Sequence, residues 1–141
     1  MFKNIFQLVI IVMLFGLSSC GGDDNASECA GNLCPFVGNW QLSSVAVDGA
    51  DVPGNYSGYQ LNLKAPTSDP STAEFTRRFS DGQDQAGTWS VQNNNDVIVL
   101  SADGDDEEYI VESVSGNSLI LVLERDGIKP GPSQLRYSFG K

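Results

Sequence analysis

From about residue 36 onward the chain is written in short runs whose apolar and polar residues alternate, separated by Gly, Pro, Asn and Asp, with no convincing amphipathic helix longer than two turns. A repeat of two is the period of a strand, whose side chains point to opposite faces in turn. A strand of that pattern needs one buried and one wet face. The body of the chain is therefore expected to be all-β.

The first run, Gly38 to Val47, ends at Asp48-Gly49. The second, Tyr59 to Ala65, sets Tyr59, Leu61 and Leu63 against Gln60, Asn62 and Lys64. The third, Ala73 to Ser80, puts Phe75, Arg77 and Phe79 in phase before the turn Asp81-Gly82, and the fourth, Gly87 to Val91, aligns Trp89 with Val91. After Asn93-Asn94-Asn95 come Val97 to Ala102, the acidic turn DGDDEE, Tyr109 to Val114, Leu119 to Arg125 and Gln134 to Phe139. That makes about eight strands of ordinary length and spacing. Mostly short connections favour an antiparallel meander that closes into a barrel and leaves no open edge; a two-sheet β-sandwich is the alternative closure.

Gly38-Asn39-Trp40, opening the first strand, resembles the G-x-W signature of lipocalins and lipocalin-like domains, and Gly87-Thr88-Trp89 repeats the spacing. The resemblance spans roughly residues 36–139 and implies a barrel whose interior holds side chains or one small ligand. It also implies that Trp40 packs across a closed end, stacked by an arginine from a late strand, Arg125 or Arg136. Gly38 and Trp40 would then be structural. No ligand-binding residue transfers, because fold alone does not define a site.

Inward candidates are Trp40, Tyr59, Phe75, Phe79, Trp89, Tyr109, Tyr137 and Phe139, large enough together to fill much of a small barrel. Tyr59, Phe75, Arg77, Phe79 and Trp89 are the candidate pocket residues. Arg77 is the sharpest of them: if its face is inward, a buried guanidinium needs a carboxylate partner or an anionic ligand. At the mouth of a barrel it would instead stand in water.

Ahead of the strands lies a different text. One positive charge, Lys3, precedes the apolar stretch Leu8 to Leu17, about half of the roughly 20 residues a membrane-spanning helix needs. It ends in Leu17-Ser18-Ser19-Cys20, which resembles the lipobox of bacterial lipoproteins. The resemblance implies that residues 1–19 are a cleaved signal peptide and that Cys20 is acylated, with several chains holding the protein on a bilayer. Residues 20–35, glycine-rich, small and acidic, read as a flexible tether, and 36–141 as the domain. Asp23-Asp24 resembles an outer-membrane export tag and reads equally well as a solvated linker. The expected location is the outer membrane, with its periplasmic face or the cell surface left open. Cys29 and Cys34, in an exported protein, are expected to pair as a disulfide closing a small loop; two thiols binding a metal would lack further soft ligands.

A formal charge of −10, with eight Lys and Arg against eighteen Asp and Glu, excludes nucleic acid as a partner. The chain has no histidine, so it lacks serine-histidine catalysis and histidine zinc sites. The carboxylates Asp103, Asp105, Asp106, Glu107 and Glu108 could gather round Ca²⁺ but do not complete an EF-hand, and read first as a solvated hairpin turn. With no nucleophile elbow, phosphate loop or metal cluster, no enzyme activity and no cofactor are expected. Two functions follow: an envelope lipoprotein whose barrel binds a small apolar or amphipathic ligand, or one whose filled barrel docks a protein or glycan partner on its surface. A hollow interior favours the first, a plugged one the second.

Overall fold

The structure, a computed structural model, describes Cys29 and residues 31–126 and 131–141. Residues 1–19, read as a signal peptide, Cys20 and most of the segment read as a tether lie outside the described residues. One antiparallel sheet is formed by β1 (Gly38–Val47), β2 (Ala50–Val52), β3 (Gln60–Leu63), β4 (Thr72–Arg78), β5 (Asp84–Gln92), β6 (Val97–Ala102), β7 (Asp105–Val114), β8 (Ser118–Asp126) and β9 (Pro132–Gly140). Each strand from β3 to β9 pairs with its neighbour in sequence, and β1 pairs with both β3 and β9. The sheet therefore closes as a barrel of eight strands, β1 and β3–β9, and not as a two-sheet sandwich. The short β2, absent from the sequence reading, folds back on the end of β1 through Asp48-Gly49, both at positive φ, the geometry of a tight hairpin turn.

Alternation explains which side chains fill the barrel, and two bulges explain where it breaks. Trp40 and Leu42 point inward from β1. The register against β9 then slips between Leu42 and Ser44, and the inward residues become Val45 and Val47. In β7 the same occurs between Val111 and Ser113, so Tyr109 and Val111 are followed inward by Val114. One extra residue inverts the phase of everything after it.

The ordered domain begins earlier than residue 36. Cys34–Phe36 form a 3-10 turn that carries Phe36, and with it Leu33, into the core, both fully buried. Cys29 and Cys34 are joined by a disulfide. The segment read as tether up to Pro35 thus contributes its last residues to the fold, because Leu33 and Phe36 offer apolar area that the open end of a barrel can bury.

β7 also starts earlier than Tyr109. The turn is Asp103-Gly104 alone, again with both residues at positive φ, and Asp105 to Glu108 already pair with β6. Alternation therefore divides the acidic cluster between two faces, with Asp106 and Glu108 outside and Glu107 inside.

Candidate functional site

Two tryptophans and Phe36 build one end of the barrel. Trp40, fully buried, donates its indole N–H to the carbonyl of Phe36 at 2.7 Å, and Trp89 donates to the carbonyl of Lys64 at 3.1 Å. Phe36 meets Trp89 edge to face, with ring centroids 6.4 Å apart. Both indoles thus have partners where they would otherwise be orphaned. The cation over Trp40 is Lys141, whose Nζ lies 4.3 Å from the ring centroid and donates to the carbonyl of Val37. Neither arginine expected there takes the position: Arg136 points outward and pairs with Glu112, and Arg125 lies toward Glu107 at the other end. Gly38 makes room for this contact. It stands at φ +151°, and a Cβ on it would come within 2.5 Å of the Lys141 side chain. The second Gly-x-Trp also rests on close approach, since a Cβ on Gly87 would lie 2.1 Å from the carbonyl oxygen of Ser101 and 2.8 Å from the Phe75 ring.

The opposite end is the mouth, and Arg77 crosses it. Arg77 is inward and only 6% exposed. Its Nη1 donates to Glu107 Oε2 at 2.6 Å and to the Tyr109 hydroxyl at 3.1 Å; its Nε and Nη2 donate to Gln85 Oε1. The guanidinium also lies 4.8 Å from the centre of the Phe79 ring. Of the two partners expected for a buried Arg77, the fold supplies the carboxylate. Burial opposes the charge on Arg77, but the bond to Glu107 and the adjacent tyrosines leave its pKa above the ordinary arginine value. Burial alone would raise the Glu107 carboxyl; the hydrogen bonds from Arg77 and Tyr109 outweigh it and hold it below the ordinary carboxylate value. Burial pushes the Tyr59, Tyr109 and Tyr137 phenols upward, so they are neutral donors at physiological pH.

An aromatic chain surrounds this group. Tyr59 meets Phe79 and Phe139 at 5.9 and 6.1 Å, and Tyr137 links Phe139 to Tyr109. Of the candidate pocket residues, the fold brings Tyr59, Arg77 and Phe79 together at the mouth, sets Phe75 fully buried below them, and sends Trp89 to the far end. Glu107, Gln85 and Tyr109 complete the group. The run DGDDEE reads as a turn and so masks Glu107, although it stands in phase with the inward Tyr109. The cleft beside Arg77, between β4 and β7 and lined by Gln85, Leu100, Asp103 and Glu107, holds about 150 Å³. Pockets for small organic ligands run from about 300 Å³ upward.

Among the described residues no group of three or more Asp, Glu or Cys side chains is placed to hold a metal ion, and no helix is long and apolar enough to cross a membrane. No curated protein matches the chain. A family match described as a lipocalin-like domain covers residues 36–121, from the plugged end through Arg77 and Glu107 into β8. With the closed eight-stranded antiparallel barrel, that match over more than half the sequence places the chain in the lipocalin-like domain family.

Proposed function

We propose that this is a lipoprotein of the outer membrane, anchored through acylated Cys20, whose lipocalin-like barrel works through its outer surface by docking a partner. The observation that carries this reading is the filled interior. Trp40, Trp89, Phe36, Phe75 and six aliphatic side chains are each less than 2% exposed, with the bonded Arg77 layer above them. A ligand entering from the mouth would have to break the Arg77–Glu107 pair and displace the aromatic layer, leaving a charge buried without its partner. The anchor rests on the Leu17-Ser18-Ser19-Cys20 motif behind the apolar run.

Family membership supports the rival reading, a small apolar or amphipathic ligand inside the barrel. One experiment separates the two: native mass spectrometry with lipid extraction of the mature protein purified from its host. Empty protein is the expected result. A stoichiometric co-purifying small molecule, lost on Arg77→Leu or Phe79→Ala, would replace surface docking by ligand carriage. The anchor is tested by detergent phase separation, in which the native protein partitions into detergent and Cys20→Ser stays in the aqueous phase.

A further inference from the structure

The outer face of β1, β3, β4 and β5 carries a groove of about 380 Å³, in the size range of small-molecule sites. Its floor is a straight cross-strand row. Asn39 lies opposite Asn62, Asn62 opposite Thr76, and Thr76 opposite Ala86. Directly opposed residues of antiparallel strands share a face, so the two carboxamides and the hydroxyl stand side by side. None of these three side chains makes a hydrogen bond among the described residues. The rows on either side are held in place. Arg78 and Asp84 form a two-pronged pair at 2.7 and 3.0 Å, and Lys64 pairs with Glu74 at 2.9 Å. Gln60 donates to Gln41, and Gln41 is itself fixed by donating to the carbonyls of Tyr56, Ser57 and Tyr59.

Charge narrows the occupant. On a chain of net −10, this face has zero net charge, because each cation is matched by its neighbouring anion. A polyanion finds no surplus positive charge here. A protein partner would need an aromatic or large apolar anchor at the centre of its contact. The groove offers only Ala86, and the exposed large apolar residues of the described chain, Val52 and Ile110, lie elsewhere. What remains complementary is an uncharged ligand dense in hydroxyl groups. Carboxamides donate and accept together and so match vicinal hydroxyls. Strands repeat at about 4.8 Å, a distance comparable to the advance of one pyranose ring, so successive rings would meet successive strands.

We infer that the Asn39–Asn62–Thr76 row is a binding site for a neutral oligosaccharide lying across β1, β3, β4 and β5. This rests on the surface-docking reading and gives it a place and a partner chemistry. The test uses the full mature protein in a phosphocholine detergent, since sugar-headed detergents would compete. Side-chain amide NMR signals are followed during titration with cello-, malto-, manno- and N-acetylchito-tetraose, with an oligogalacturonate as the charged comparison. The expected result is a saturable shift of the Asn39 and Asn62 amides with at least one neutral tetramer. Asn62→Leu should weaken that binding about tenfold, the loss of one or two hydrogen bonds, and Thr76→Val several-fold, with melting unchanged. Should Asn62→Leu fold poorly, Asn39→Ala at the β1 end of the row serves instead. The site is overturned if no neutral tetramer moves these amides, if the variants bind as well as the native chain, or if the galacturonate binds more tightly. Empty protein with no neutral tetramer on this row would overturn this site and leave surface docking standing; a small molecule found inside the barrel would overturn surface docking itself.

Discussion

Glu107→Leu isolates the contribution of the mouth pair to the fold. The substitution leaves Arg77, 6% exposed in the native chain, with only the neutral Gln85 and Tyr109 as hydrogen-bond partners, and removes the charge-assisted bond at 2.6 Å. Breaking a buried pair from one side costs about 3–5 kcal/mol. Glu107 itself is 32% exposed, so water can replace part of what Arg77 loses, and the low end, about 3 kcal/mol, applies. At about 4 °C per kcal/mol for a domain of this size, the melting temperature should fall by about 12 °C. The double variant Arg77→Leu with Glu107→Leu removes the stranded charge along with its partner, and should recover most of the loss or exceed the native stability. Urea unfolding and thermal melts of the four proteins in the cycle measure the coupling directly. A single-variant loss below about 1 kcal/mol, or a double variant no better than Glu107→Leu, would refute the claim that the pair is mutually dependent.

The pH dependence of stability follows from the same carboxylate. Its folded pKa is depressed, so the unfolded state binds the proton more readily; the contribution is complete above the unfolded value of 4.5 and is lost as pH falls through the folded one. Stability curves between pH 6 and pH 3 should therefore fall less steeply for Glu107→Gln than for the native chain. Gly87→Ala should cost at least about 2 kcal/mol, because its Cβ would meet the backbone oxygen of Ser101 at 2.1 Å, and urea titration will show it; a neutral outcome would mean that β5 can move away from β6. Reduction of the Cys29–Cys34 bridge, whose closed loop is short, should lower stability by about 2 kcal/mol, read as a drop in melting temperature with dithiothreitol and two thiols titrating only after reduction. Lys141→Met should cost about 0.5–1 kcal/mol through loss of the cation over Trp40, whereas Arg136→Met should leave the Trp40 fluorescence environment unchanged.

The eight barrel strands were legible in the sequence because alternation is a local property. The three-residue β2 was not, since Ala50-Asp51-Val52 is too short to show a period. The mouth was half legible. Arg77 between Phe75 and Phe79 announced an inward cation in need of a partner, but that partner stands thirty positions away, and pairing across a barrel is a tertiary fact. Glu107 was hidden by its surroundings: DGDDEE reads as a turn, although only Asp103 and Gly104 adopt turn geometry and the other four residues continue the strand. Arg136 could have been removed from the Trp40 stack at once, because it alternates with Leu135 and Tyr137 and so faces outward. Lys141 carried no signal, as it lies beyond the last apolar residue, and only the pairing of β1 with β9 brings it to Trp40. The outer groove is invisible in the same way, since Asn39, Asn62 and Thr76 become neighbours only through register.

The seam between β1 and β9 also sets a timetable for folding. Every other junction of the ring from β3 onward joins strands adjacent in sequence, but here Ser43 donates to the carbonyl of Ser138 across 95 positions. Ordering so long an intervening chain has an entropic cost that grows with its length, and contacts of that range form late and slowly. Until that seam forms, the meander is an open sheet whose edges are β1 and β9, and these are the strands that offer unpaired backbone to any strand that meets them. The interval before the seam closes is when the molecule is most exposed to aggregation. Once closed, the same late-forming seam governs how rarely the barrel reopens.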